Sequence, residues 1–240
     1  MENPIAKLKS FRYSASSAGW RRTLMDVASH ALAYRPDRDH SFDQRFGTDT
    51  EGKVEPAALG IEDEGRREQA ILYLPSPAPV TRWMLEHVGV SHRDFTFVDL
   101  GCGKGRVVLM AAQYPFQRVV GVDISPTLTA VARSNVARFP ARARRCDSVE
   151  ICNADVTTFD LPSTNLLLHL YHPFDGEVTS AVLARLESSL RQTPRRVVVA
   201  YLLYSGGARG ARRVRSLSLL KETRYEHSLL GQYDWLFFSS

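Results

Sequence analysis

Thr96-Phe97-Val98-Asp99-Leu100-Gly101-Cys102-Gly103-Lys104-Gly105-Arg106 decides the fold of this chain. A short apolar run ends in an acid, a glycine-rich turn follows, and Val107 to Ala112 is apolar again. That order reads as strand, tight loop and buried helix. Backbone without β-carbons can take unusual φ/ψ values and approach a ligand closely. The helix that starts here directs its free N–H groups and positive dipole end over the loop, which favours an anionic ligand group.

Spacing separates the possible ligands. A dinucleotide fingerprint, G-x-G-x-x-G, needs a third glycine at position 106, where Arg106 stands. The pattern present is D-x-G-x-G-x-G, with Asp99 two residues before the first glycine. Downstream, Arg118-Val119-Val120-Gly121-Val122-Asp123 reads as the next strand and ends in an acid 24 residues after Asp99. A carboxylate at the tip of a second strand can accept both hydroxyls of a ribose. The alternative is a structural βα turn without a ligand, and the loop together with Asp123 argues against it.

A chain of 240 residues suits one α/β domain with an accessory segment. Hydrophobic content of 44% and charged content of 24% fit a soluble globular protein. Cys102, Cys146 and Cys152 are odd in number and lack C-x-x-C spacing, so neither a metal site nor a disulfide framework is expected, and a reducing compartment fits. No apolar run approaches the roughly 20 residues that span a bilayer, so a cytoplasmic protein without membrane contact is expected. Lys7, Lys9, Arg12, Arg21 and Arg22 sit among serines, a composition shared with transit peptides. Without a secretory hydrophobic region, the expectation is a basic, partly disordered leader. The net charge of +5 is carried mostly by arginine, clustered at Arg138–Arg145 and Arg209–Arg215. Such clusters can meet phosphates. They lack the aromatic interleaving of a base-stacking platform and fall between elements, so solvated loops are expected.

Along the chain, Trp20, Leu24, Val27, Ala28, Ala31 and Leu32 recur at helical steps within residues 14–34, and Pro36 ends the pattern. Residues 37–69 are polar. Within them, 42–52 place Phe42 and Phe46 around charges and a glycine turn. Two readings stay open: a loop that folds over something, or a surface loop anchored by two rings. In Tyr73-Leu74-Pro75-Ser76-Pro77-Ala78-Pro79, three alternating prolines force a stiff entry. Ser76 is a candidate cap for the helix carrying Val80, Trp83, Met84 and Val88, which ends near Gly89. Ser125-Pro126 opens another helix, with Leu128, Val131, Ala132 and Val136 as its buried face.

Strand three is expected over 148–152, followed by Asn153-Ala154-Asp155. Strand four is expected over 165–170 and ends in Tyr171-His172-Pro173-Phe174-Asp175, the end at which open α/β sheets bind ligands. A helix over 177–192 buries Val182, Leu183, Leu186 and Leu190, and strand five, 196–203, is apolar enough to be covered on both faces. Gly206-Gly207 marks a loop, and the remainder, through Tyr225 and 234–238, reads as a terminal antiparallel pair. The order β-α-β-α-β-β-α-β plus hairpin makes a doubly wound, mostly parallel seven-stranded sheet.

The D-x-G-x-G-K-G-R-V run, the G-V-D-I-S second strand, the Tyr-x-Pro-Ser before them and the x-Pro-Phe turn after them resemble class I S-adenosylmethionine (SAM) methyltransferases of a bacterial type. The resemblance is specific over residues 70–204. More distantly, the chain is similar to seven-strand protein-lysine methyltransferases, including those acting on ATP synthase c subunits. The resemblance implies SAM as cofactor, with Asp99, Gly101, Cys102, Gly103 and Gly105 at its methionine end. It implies Asp123, with Ile124 beside it, at the ribose and Asp155 at the adenine amine; a turn-forming Asp155 is the alternative. Tyr73 is a pocket-wall candidate, or simply packs in the core. Tyr171, His172, Pro173 and Phe174 fall on the Asn/Asp-Pro-Pro-aromatic turn of amino-group methyltransferases. Here His172 replaces the Asn or Asp; it orients an acceptor or takes a proton, or else is a hydrogen-bonded turn residue. Residues 1–70 are expected to be an N-terminal extension, with its helix and the 42–52 loop as lid, and 71–240 the methyltransferase domain. An amine of a protein or small molecule is the favoured acceptor. RNA methylation and SAM binding without catalysis are the alternatives.

Overall fold

A computed structural model describes residues 40–171, 176–204, 219–227 and 233–240. The helix expected within 14–34, the turn His172–Asp175, the Gly206-Gly207 loop and the Arg209–Arg215 cluster lie outside the described residues.

Helix α1 (His40–Phe46) is followed by α2 (Glu64–Gln69) and α3 (Ala78–His87). Then come β1 (Thr96–Leu100), α4 (Arg106–Ala111), β2 (Arg118–Asp123), α5 (Pro126–Arg138), β3 (Val149–Asn153), β4 (Leu166–Tyr171), α6 (Gly176–Gln192) and β5 (Val197–Tyr204). The last two strands are β6 (Lys221–His227) and β7 (Tyr233–Ser239). The seven-stranded sheet runs β3-β2-β1-β4-β5-β7-β6. Its first five strands are parallel, and β7 enters antiparallel between β5 and β6. The expected element order and sheet class hold.

Each central strand divides its residues between two cores, as the two-residue period of a strand requires. Val98 and Leu100 of β1, Leu166, Leu168 and Leu170 of β4, and Val197 and Val199 of β5 meet Val182, Leu183, Leu186 and Leu190 of α6. The opposite face carries Phe97, Val119, Leu167, Ala200 and Leu202 against α3 and α4. Strands buried on both sides read as near-continuous apolar runs, which explains why β4 and β5 were conspicuous in the sequence.

Several local expectations shift. Strands β3, β4 and β5 begin and end one residue later than the hydrophobic pattern indicates. At β4 the cause is visible. Asn165 is a junction: its side chain donates to Asp94 O and accepts from the Arg196 N–H, both at 3.1 Å. Ser125 does cap α5, accepting from Leu128 N at 3.0 Å. Ser76 does not cap α3. The N-cap is Pro77, in an extended conformation, so Ser76 stands one residue outside the helix and is buried instead. On α5 the buried face includes Asn135, while Val131 and Val136 are half-buried. The first arginine cluster does hold one aromatic, Phe139, but its ring is buried against Phe46 and offers no exposed face.

Candidate active site

At the carboxyl ends of β1, β2 and β4 lies a cavity of ≈ 690 Å³. Asp99, Gly101, Cys102, Asp123, Ile124, Asp155, Tyr73 and Tyr171 all line it, so the structure brings these site candidates to one place. His172, Pro173 and Phe174 lie outside the described residues.

The glycine turn hooks onto β2 through the Gly101 and Cys102 N–H groups, which both donate to Val122 O at 2.8 and 3.0 Å. Its three glycines have φ values of +83°, +53° and +84°, a region that side-chain-bearing residues rarely occupy. Gly103 and Gly105 are not on the cavity wall, and their open sides meet protein. A β-carbon on Gly103 falls 2.2 Å from the Tyr73 ring, and one on Gly105 falls 3.2 Å from Ala132. Tyr73 is therefore a wall residue packed on the turn. Its hydroxyl donates to Thr50 O at 2.7 Å, and its backbone pairs with Val54. Burial drives its phenol pKa upward, so the ring stays neutral.

Asp123 ends β2 and reaches back under the turn. Oδ2 accepts the Gly103 N–H and Oδ1 the Ser125 N–H, both at 2.8 Å. Burial pushes its carboxyl above the ordinary value, offset in part by these two donors; the nearby Asp99 charge pushes the same way as burial. Asp155 follows β3. Its Oδ1 accepts from Thr157 N at 2.8 Å and Thr157 Oγ1 at 2.7 Å, so it is indeed a turn former. Its Oδ2 pairs with Arg66 at 2.7 Å, a partner that sequence reading did not supply.

Asp99 is buried at the end of β1 and hydrogen-bonds His169 Nδ1 at 2.7 Å. His169 lines the cavity and was missed by sequence reading; its signal was an imidazole inside a run of leucines. Ser76, Arg66, Gln69 and Tyr233 also line the cavity and were missed.

Residues 42–52 contribute nothing to the cavity wall, which is built by 59–76 instead. Phe42 and Phe46 are buried anchors, and Asp43 gathers Thr48, Thr50 and Glu51 through its carboxylate. The turn so formed braces the glycine loop from outside. Lys104 Nζ reaches Asp49 Oδ1 and Glu51 O, and Arg106 Nε donates to Thr50 Oγ1 at 2.7 Å. Among the described residues, no three metal-ligating side chains are grouped to hold an ion, and no helix is long and apolar enough to cross a membrane.

Residues 97–193 match the model of a family described as methyltransferase domain. Over 104 residues the chain is 35% identical to a protein-lysine N-methyltransferase of Saccharolobus islandicus, covering 40% of this chain and 64% of that protein. Over 129 residues it is 29% identical to a geranyl diphosphate 2-C-methyltransferase of Streptomyces coelicolor, covering 52% of this chain and 41% of that one. The chain thus spans less than two thirds of the length of these relatives. A solved RNA methyltransferase from Salinibacter ruber, in complex with S-adenosyl-L-homocysteine, superposes with a TM-score of 0.46 at 24% identity, covering 69% of this chain and 93% of that one. Residues 97–193 are thus similar to a methyltransferase domain, and they hold β1 to β4 of the sheet together with the acid-flanked glycine turn.

Proposed function

We propose that the chain transfers a methyl group from SAM to an amine nitrogen of a protein side chain or small molecule. The observation that carries this reading is the single cavity wall shared by Asp99, Gly101, Cys102, Asp123, Ile124, Asp155 and Tyr171. Its volume lies in the range of pockets that enclose a whole small-molecule ligand. When bound, SAM supplies a methyl group on a sulfonium centre that is already strongly electrophilic. The chain's own task is therefore alignment and exclusion of water, and orientation alone can account for about 7–11 kcal/mol of a barrier.

Gly101, Cys102, Gly103, Gly105 and Asp99 hold the methionine end, Asp123 and Ile124 the ribose, and Asp155 the adenine side. Tyr171, His172, Pro173 and Phe174 face the acceptor, and Tyr73 forms the wall. Residues 1–70 serve as the substrate-selecting extension to the domain at 71–240. Tyr171 and Tyr233, with ring centroids 6.1 Å apart, both line the cavity. Aromatic faces attract an ammonium, which favours an amine acceptor. An amine reaches the site protonated at neutral pH, since a free lysine has a pKa of about 10.4, and it must shed that proton before its lone pair can attack.

The test is incubation of host-cell lysate with methyl-labelled SAM and the pure protein. Label in protein or the small-molecule fraction is the expected result, abolished by D123A. Label confined to RNA would move the acceptor class. SAH binding without any labelled product would identify a SAM-binding protein that does not catalyse.

A further inference from the structure

His169 is the one polar residue in β4, otherwise Leu166, Leu167, Leu168, Leu170 and Tyr171 around it. Its side chain is 1% exposed. An imidazole at that depth is costly unless its polar atoms are engaged. The parallel pairing of β1 with β4 sets Asp99 directly beside His169 in register, and both side chains leave the sheet on the α3/α4 face. The Nδ1–Oδ1 bond of 2.7 Å follows from that register, and it is the one side-chain hydrogen bond of the Asp99 carboxylate among the described residues.

The other nitrogen, Nε2, has no hydrogen-bond partner among the described residues and is shielded from solvent, with the Phe97 and Trp235 rings beside the imidazole. A proton on Nε2 points at no acceptor, so the surroundings accommodate the tautomer that donates from Nδ1 to Asp99. The same shielding keeps Nε2 from receiving a proton from an acceptor substrate. His169 is thus no general base, and its available work is done through Asp99.

That work has a direction. Asp99 stands at the mouth of the glycine turn, on the cavity wall, with Oδ1 held by His169. Asp123 shares that wall and its charge disfavours a second anion nearby. Two carboxylates so placed favour a ligand that brings positive charge between them. We infer that His169 is a positioning residue that fixes the Asp99 carboxylate so that Oδ2 receives the ammonium of the cofactor's amino-acid tail. This rests on the reading of Asp99 as a methionine-end ligand.

The experiment compares two probes by calorimetry: SAH, which carries the amino-acid tail, and 5′-methylthioadenosine, which lacks it. H169F keeps a ring and deletes the donor, while H169N places an amide nitrogen where Nδ1 stood. H169F should weaken SAH about 10- to 100-fold, the range expected for a charge-assisted contact, and leave methylthioadenosine within about twofold. H169N should recover most of the SAH affinity. Should H169F fail to fold, H169Q, whose amide sits at the Nε2 position, takes its place with the same expectation. Parallel weakening of both probes, or an H169N as weak as H169F, overturns the inference while leaving the site intact. A wild-type protein that binds neither probe overturns the site reading and this inference with it.

Discussion

Replacing Gly103 with alanine tests how firmly the glycine turn is clamped. The new β-carbon falls 2.2 Å from Tyr73 Cε2 and 2.5 Å from Cδ2. Tyr73 has little room to yield, because its hydroxyl is bonded to Thr50 O and its backbone is paired with Val54. Gly103 also sits at φ +53°, where an L-residue costs about 1–2 kcal/mol. Overpacking against a held ring adds about 1–3 kcal/mol. The sum is a loss of about 2–5 kcal/mol. Gly47 provides the internal control, with φ +68° and nothing within 4 Å of its would-be β-carbon. G47A should therefore cost only the backbone part, about 1–2 kcal/mol. Urea unfolding of both variants gives the two losses by linear extrapolation. G103A should exceed G47A by about 1–3 kcal/mol, and Y73A should offset part of the G103A loss in a double-mutant cycle. Equal losses for the two glycines, or strict additivity of G103A and Y73A, refute the clamp.

Asp123 should make cofactor affinity pH-dependent. On the proposed reading its ionised form accepts the ribose hydroxyls, and burial raises its pKa above the ordinary 3.8. SAH affinity should therefore be constant at neutral pH and fall as acid is added, at a higher pH than an exposed aspartate gives; D123N should bind weakly with a flat profile, both read by calorimetry. Arg106 is 2% exposed between Asp43 at 4.0 Å and Glu51 at 3.7 Å. R106M removes the guanidinium between those acids, while Asp43 keeps its Thr48, Thr50 and Glu51 donors, and should cost about 1–3 kcal/mol in urea unfolding. Arg66, on the cavity wall, ties α2 to Asp155 and Thr157. R66M should raise the SAH off-rate several-fold in stopped-flow displacement while lowering Tm by no more than about 4 °C, since the ion pair is partly exposed.

What could be read from the sequence was local. The acid-flanked glycine turn, Asp123 and the Ser125-Pro126 cap are each defined within a few residues, and each stands where its spacing implies. The missed features are products of register and chain return. Arg66 meets Asp155 because residues 59–76 return to the cavity wall, burying Leu59 and Ile61 against Leu128. Asn135 looks like a surface residue of α5, yet its side chain bonds Asp49 on both N–H and C=O and also Lys104 O. His169 was partly legible: a lone imidazole among leucines needs a partner, and the doubly wound strand order puts β1 beside β4. For 42–52, composition left two readings open because two rings anchor a loop equally well wherever it lies. Both rings prove buried, and the loop stands behind the glycine turn rather than over the cavity.

That placement changes what the extension does. Lys104 and Arg106, which flank Gly105, are bonded to the 49–51 segment, while Gly103 is packed under Tyr73 from the cavity side. The two braces are joined, since the Tyr73 hydroxyl bonds the carbonyl of Thr50. The turn is therefore held from outside and inside by one connected set of contacts, formed when the chain folds. A ligand arriving at such a turn meets backbone groups already in place and loses little affinity to loop ordering. The 40–76 segment thus bears on the glycine turn mechanically, through Tyr73 and Thr50, and on the open side of the cavity directly, through the wall formed by residues 59–76.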